Sequence, residues 1–284
     1  MIKQILVALD PDQDTNVAIR YSISLAKRFQ AHVTGLAVVD VSNIPIHTGS
    51  GTLDMEYYGQ EIWDSLTRET RDVAQELLDN FRSEARKAGV SHHTVEREGA
   101  SWERIVYETR FHDLLIIGRD ARFFYNEPER DTRTLAKVVK NGVGPTLVVT
   151  DEYHEVETLM VACDGSPASA RSIKSFVHLL PYGHDIKIEM VYVQHPNIGN
   201  EEDPVLLDLE RLEAYLRRHS FHKIVREVVK GEDPAKTLLE LQTERKPDLL
   251  LMGAHSVSAL RRVTFGSNTH SLITESNVPL FMAP

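Results

Sequence analysis

The sequence predicts an α/β fold written twice in one chain, as two doubly wound parallel sheets of five strands each. Three observations carry that prediction. Short apolar blocks recur in the same order in both halves, the blocks are continuous rather than alternating, and amphipathic helical patterns separate them. With 284 residues, the chain has room for two domains on a prior of roughly 100–200 residues each.

The repeat reads off directly. Lys3–Asp10 is answered by Thr158–Asp164, Asp113–Gly118 by Asp248–Gly253, and Pro145–Val149 by Pro279–Ala283. Chance supplies one such match far more readily than three in register. Runs without polar alternation are how strands read when helices cover both faces of a parallel sheet.

Helices fall between the blocks. Thr15–Phe29 carries Val17, Ile19, Ile23, Leu25 and Ala26 at helical spacing, and Ile62, Leu66, Val73, Leu77, Phe81 and Ala85 mark a long amphipathic helix. Leu206, Leu209, Leu212 and Leu216 mark its counterpart. Ser166-Pro167 and Asp233-Pro234 pair an N-cap residue with proline at the first helical position, and Ser101 reads as a third cap. Strand alternating with helix gives a doubly wound sheet in each half. The polar stretch Asp151–Glu157 separates a first domain, residues 1–152, from a second, residues 156–284. The linker is short, so the domains should pack together. Val41–Gly59, with Pro45, Gly49, Ser50 and Gly51, reads as a loop that could cover the first site.

Composition narrows the function. Hydrophobic residues are 42% and charged residues 26%, as in soluble globular proteins, and the net charge is −10. That balance argues against general nucleic-acid binding and against docking on an anionic membrane. The single cysteine, Cys163, lies in an apolar run and reads as a buried strand residue. No stretch is long and apolar enough to span a bilayer. A strand pattern starts at Ile2, leaving no room for a signal peptide, so a cytoplasmic location is the default expectation.

The strongest local signal runs from Gly253 through His255 and Ser256 to Gly266, Ser267 and Asn268. It begins where a strand ends and closes where a helix, Asn268–Glu275, begins. Glycine at a strand end lets a ligand approach the backbone. A Gly-Ser pair opening a helix aims free N–H groups and the positive end of the helix dipole at an anion. In an open parallel sheet, ligands sit beyond the carboxyl ends of the strands. Asp164 should face the same crevice.

These residues resemble the nucleotide-binding members of the universal stress protein family. Those members carry Gly, two residues, Gly, nine residues, then Gly-Ser. Here Gly253, Ser256, Gly266 and Ser267 fall on that spacing, with Ser256 in place of the second glycine. The likeness extends over both halves. It implies an adenine nucleotide α-hydrolase-like fold with strand order 3-2-1-4-5 and pseudo-twofold halves, the last strands Thr146–Val149 and Leu280–Met282 pairing with each other. It also implies a site for ATP, or AMP or ADP, with or without Mg²⁺. Asp164 would contact the ribose or adenine side, Val193 would contribute to the adenine pocket, and Gly253, Gly266 and Ser267 would hold phosphates. Gly165, Ser166, Met252, Ser256 and Asn268 would belong to the same site, and His255 would either touch phosphate or face solvent.

The first half departs from the pattern. Asp10 and Gly118 are present, but Arg119–Asp131 contains no glycine, and Asp131-Thr132-Arg133 stands where Gly-Ser is expected. Carboxylates there repel phosphate, and Arg119, Arg122 and Arg133 offset them in part. This half reads as having lost the phosphate cradle.

Plainer readings stand beside each of these. Asp10 and Asp164 could cap the following helices, Gly118 and Gly253 could be turn glycines, and Gly266-Ser267 could be a simple cap. Arg261-Arg262 could reach a terminal phosphate or be surface charge. His92-His93 and His219/His222 lack the companions of a metal site, so no metal site is expected. Trp63 and Trp102 read as packing residues, and Glu201-Glu202-Asp203 as a solvated start of a helix. Three functions follow in order: a nucleotide-binding regulatory protein of the stress response, a slow ATPase or nucleotidyl-transfer enzyme, and a ligand-free interaction module. The expected partners are an adenine nucleotide and an unidentified protein, with a homodimer left open.

Overall fold

The computed structural model describes residues 1–40, 53–119, 133–199, 203–254 and 267–284. The first half runs β1 (Gln4–Leu9), α1 (Asp14–Phe29), β2 (His32–Val39), α2 (Leu53–Ala88), β3 (His92–Glu98), α3 (Ser101–Thr109), β4 (Leu114–Gly118), α4 (Arg133–Asn141) and β5 (Thr146–Val149). The second half repeats the series as β6 (Thr158–Ala162), α5 (Pro167–Leu179), β7 (Lys187–Gln194), α6 (Pro204–Arg218), β8 (Ile224–Lys230), α7 (Pro234–Arg245), β9 (Leu249–Leu251), α8 (Ser267–Glu275) and β10 (Leu280–Met282).

The strands form one ten-stranded sheet in the order β3-β2-β1-β4-β5-β10-β9-β6-β7-β8. Each half therefore shows the order 3-2-1-4-5. Every pairing within a half is parallel. The halves meet where β5 and β10 pair antiparallel, with Thr146 opposite Met282, Leu147 opposite Phe281 and Val148 opposite Leu280. That register centres a pseudo-twofold axis on the Leu147–Phe281 pair. It also covers two strand edges that would otherwise lie open.

Apolar residues alternate between two core layers, as strand geometry requires. Ile5, Val7 and Leu9 of β1 face α1 and α2, whereas Leu6 and Ala8 face α3 and α4. The second half does the same, and both layers continue across the join through Leu147 with Phe281 and Val148 with Leu280. Phe281 meets Phe176 of α5 edge-on, with ring centroids 5.4 Å apart.

The repeat extends to hydrogen bonding. The Asp113 carboxylate accepts from Lys3 N and Gln4 N at 2.7 and 3.0 Å. Asp248 accepts from Glu157 N and Thr158 N at 3.0 and 2.8 Å. In each half one carboxylate ties the first strand's start to the fourth.

Two helix caps match the sequence reading. The Ser166 hydroxyl accepts from Ser169 N, and Asp233 from Ala235 N and Lys236 N. The third does not. α3 begins at Ser101 itself, and Ala100 occupies the cap position without a side-chain bond. Its first turn is held instead by Asp40, just past β2, which accepts from Ser101 N at 2.6 Å and Ser101 Oγ at 2.8 Å. A carboxylate from a neighbouring strand does what the local serine was expected to do. Asp203 also differs from its reading as solvated. It is 7% exposed, caps α6, and accepts from Tyr192 Oη at 2.7 Å and Gln194 Nε2 at 2.8 Å. Leu53–Gly59, expected as loop, belongs to α2; residues 41–52 lie outside the described part.

Candidate functional site

In each half the chain leaves the first strand toward one face of the sheet and reaches the fourth from the other. The crevice between them is the topological switch point, where ligands of open α/β sheets bind. In the second half this is the gap between β6 and β9. A cleft of about 140 Å³ opens there, at the carboxyl ends of the strands.

Its walls are mostly apolar. Ala162 and Val191 come from strands β6 and β7, Val193 from the end of β7, and Pro234, Ala235 and Leu238 from the first turns of α7. Gly231 sets this wall: a Cβ there would lie 2.9 Å from Val193 Cγ1 and closer still to Thr237 Oγ1. The Asp233-Pro234 cap then starts α7 against the cleft. Opposite stand Met252 and Gly253 at the end of β9, with Asn268, Thr269 and Leu272 of α8. The N-terminal turn of α8 thus borders the same space, with its free N–H groups and positive dipole end.

Asp164 lines the cleft and is exposed. One of its oxygens accepts from Ser166 N at 2.9 Å. Gly165 between them has φ +70°, a region that costs a side-chain-bearing residue about 1–2 kcal/mol. Gly165 and Ser166 build this turn and do not line the cleft. Ser166 spends its hydroxyl on the α5 cap, as described above. Cys163 also borders the space. Burial, and to a lesser degree the Asp164 charge, push its thiol well above the ordinary range, so it packs and does not act as a nucleophile.

Gly253 has a structural task beside its place in the wall. A Cβ there would stand 2.8 Å from Ser169 N and 3.1 Å from Ala168 Cβ. The glycine therefore lets α5 approach the sheet. Ser267 and Asn268 are exposed in the first turn of α8. His255, Ser256, Gly266, Arg261 and Arg262 lie outside the described residues. Among the described residues no group of three or more His, Cys, Asp or Glu side chains is arranged to hold a metal ion.

The structure thus brings Asp164, Val193, Met252, Gly253 and Asn268 together around one cleft. Sequence reasoning missed the α7 wall. Its signal was present: Gly231 and the Asp233-Pro234 cap, followed by the apolar residues Ala235 and Leu238, three apart.

The first-half counterpart is occupied by acidic side chains. Asp10 is 0% exposed. Its Oδ1 accepts from Asp12 N at 2.8 Å and Thr15 Oγ1 at 3.1 Å, while its Oδ2 has no hydrogen-bond partner among the described residues. Burial raises its pKa most, and the Asp14 and Asp12 charges add to this, bringing it to about 8. Asp14 is 1% exposed and lies over Gly118, where a Cβ would come within 2.5 Å of both carboxylate oxygens. Gly118 here makes room for a carboxylate, where Gly253 makes room for a helix. Arg119, the next residue, reaches across the join and donates from Nη1 to Ser276 O at 2.9 Å. Residues 120–132 lie outside the described part. Trp102 packs from α3 under Lys137, whose Nζ is 5.3 Å from the ring centre.

The fold and the repeat have counterparts among known proteins. A model of the universal stress protein family matches residues 1–150 and again 155–284. Over 98% of this chain and 99% of its own length, the universal stress protein Slr1230 of Synechocystis is 21% identical. A universal stress protein from Archaeoglobus fulgidus superimposes with a TM-score of 0.65 at 17% identity, covering 99% of this chain and 95% of that one. A putative universal stress protein from Pseudomonas aeruginosa superimposes with a TM-score of 0.59 at 13% identity, covering 99% and 93%.

Proposed function

The chain belongs to the universal stress protein family in both halves, and from that premise we propose that its second half binds an adenine nucleotide as a regulatory ligand of the stress response. The observation that carries this reading is the joining of two unlike surfaces at the β6–β9 switch point. One is an apolar wall of Val191, Val193 and Leu238, suited to a flat base; the other is the N-terminal turn of α8, suited to phosphate. In sequence they are connected by the Gly253/Ser256/Gly266/Ser267 spacing.

Whole-ligand sites commonly measure roughly 300–1,000 Å³. The described cleft, at about 140 Å³, is the size of the base end alone. The phosphates of ATP, or of AMP or ADP, then extend toward Ser267 and Asn268. The Asp164 carboxylate stands where a ribose hydroxyl would donate to it. Mg²⁺, where present, is held by the phosphates of a triphosphate. A ligand bridging the strand ends and α8 favours one arrangement of the surface they share, which is how binding could report nucleotide level.

Isothermal titration with ATP, AMP and cyclic AMP tests this. Val193→Trp fills the base end and should weaken binding at least tenfold. Ser267→Asp adds a negative charge at the α8 N-terminus and should weaken ATP more than adenosine. No heat with any of the three nucleotides at millimolar concentration sinks the reading. Phosphate release that is lost in Val193→Trp would turn it from passive binding to turnover.

A further inference from the structure

The pseudo-twofold axis at Leu147 and Phe281 carries one flank of the sheet join onto the other, and the two flanks are filled differently. On the α1 flank, the chain leaving β5 lies across the helix. The Tyr153 ring packs on Tyr21, with centroids 4.5 Å apart. The Arg20 guanidinium stands 3.9 Å from the Tyr153 ring centre. His154 N donates to Tyr21 Oη at 3.0 Å, and that hydroxyl donates to His154 O at 3.1 Å. The segment so held, Asp151-Glu-Tyr-His-Glu155, is acidic with a central aromatic. Under it Tyr21 is 1% exposed.

On the α5 flank, aligning Asp10 with Asp164 puts Lys174 in the place of Arg20, Ser175 in that of Tyr21 and His178 in that of Ser24. The join register puts Pro284 in the place of Thr150. A groove of about 460 Å³ runs there between the turn at Val143–Pro145, Pro284 and the α5 face bearing Arg171, Lys174 and His178. Met1 arrives at the far end, its amine donating to His178 O at 3.3 Å. The groove thus lies over α5 in the position that residues 151–154 take over α1. The floor is correspondingly more open: Ser175 and Leu179 are half-buried where Tyr21 and Leu25 are buried. Arg171 Nε donates to Pro284 O at 2.5 Å, and neither Arg171 nor Lys174 pairs with an Asp or Glu side chain among the described residues, although the chain carries 42 acidic residues against 32 basic ones.

We propose that this groove docks a short, extended, acidic segment of a partner protein bearing one aromatic residue, seated over α5 as Asp151–Glu155 sits over α1. The small Ser175 leaves space for the aromatic ring that Tyr21 partly fills on the other flank. Lys174 takes the place of Arg20 above that ring, and Lys174 together with the remaining nitrogens of the Arg171 guanidinium, whose Nε is held by Pro284 O, supplies the charge for carboxylates. The chain's own segment of this composition is already held on α1, which favours a different protein over a second copy as the occupant.

A fluorescent peptide copying residues 150–157, Thr-Asp-Glu-Tyr-His-Glu-Val-Glu, titrated with the full chain and followed by anisotropy, tests this. Saturable binding is expected, weakened at least tenfold by the double variant Arg171→Glu/Lys174→Glu, weakened by Ala in place of the peptide's tyrosine, and left unchanged by Val193→Trp. Both substituted side chains are exposed on α5, and circular dichroism checks that the variant stays folded. Absence of saturable binding at millimolar chain, or binding that the double variant leaves intact, overturns the proposal. Self-association without peptide that the same variant abolishes would make the occupant a second copy and overturn the partner assignment.

Discussion

Asp10→Asn removes an ionisable group from the interior while keeping its shape. The folded chain raises the Asp10 carboxyl from 3.8 to about 8, first by burial and then by the Asp14 and Asp12 charges. In the unfolded chain it titrates near 4. Between these values the folded state holds a proton that the unfolded state has released. Stability therefore falls as pH rises through this window, and levels off above the folded pKa. One unit of difference is worth about 1.4 kcal/mol. From pH 5 to pH 8 the wild type should lose about 3–4 kcal/mol through this group, a large share of the roughly 5–15 kcal/mol typical of a domain. Asparagine keeps an oxygen to accept from Asp12 N and Thr15 Oγ1, and carries no charge at any pH. Urea unfolding at pH 5, 6, 7 and 8, followed by circular dichroism, gives the difference between variant and wild type at each pH. That difference should grow in favour of the variant by about 3–4 kcal/mol across the series. A difference that stays constant refutes the reasoning, because it would mean that folding does not perturb the Asp10 carboxyl.

Gly253→Ala places a methyl 2.8 Å from Ser169 N; backbone cannot yield cheaply, so a loss of about 1–3 kcal/mol is expected in thermal or urea unfolding without any nucleotide present. Asp203→Ala removes the α6 cap and the acceptor for Tyr192 and Gln194 together, with an expected cost of about 2–3 kcal/mol. The same residue gives a pH dependence of the opposite sign to Asp10. Burial raises the Asp203 carboxyl, but the Tyr192, Gln194 and Val205 hydrogen bonds and the nearby Lys230 charge outweigh this and hold it below the ordinary range. Its contribution is full above about pH 4 and is lost as pH falls through the folded value, so Asp203→Asn should narrow the gap to wild type only in acid.

The inner strands β1, β4, β5, β6, β9 and β10 were legible because each is a continuous apolar run, and their correspondence between the halves because the runs repeat in register; the edge strands β3 and β8 are half polar and half exposed and carry no such signal. The capping serine of α3 was misread because the sequence shows only local neighbours: the carboxylate that holds Ser101 comes from Asp40, across the sheet. Asp203 was misread for the same reason, its partners Tyr192 and Gln194 lying on β7. Around the cleft, Asp164, Val193, Met252 and Asn268 stand at strand ends and a helix start, positions that the sequence marks. The α7 wall was overlooked because Pro234, Ala235 and Leu238 read as an ordinary capped helix until the sheet order places that helix over the β6–β9 gap.

The two glycines that motivated a ligand in each half show how one motif diverges. Gly118 ends β4 and Gly253 lies just past the equivalent β9, and at each a Cβ would strike the first turn of the helix that follows the first strand of its half. In the first half that turn carries Asp14; in the second the equivalent residue is Ala168. This difference of side chain decides the chemistry of the crevice. With Ala168 the space beside the glycine stays uncharged, and Asp164 remains exposed beside an apolar cleft. With Asp14 the space fills with negative charge, Asp10 is buried and driven toward its neutral form, and a phosphate would meet carboxylates at the mouth of the strands. A glycine at a strand end is thus a permission and not an assignment, and the residue four positions past the first strand's aspartate determines what uses it. It follows that Asp14→Ala alone should lower the Asp10 pKa by removing the largest like charge beside it, and should do more to open the first-half crevice than any substitution at Gly118.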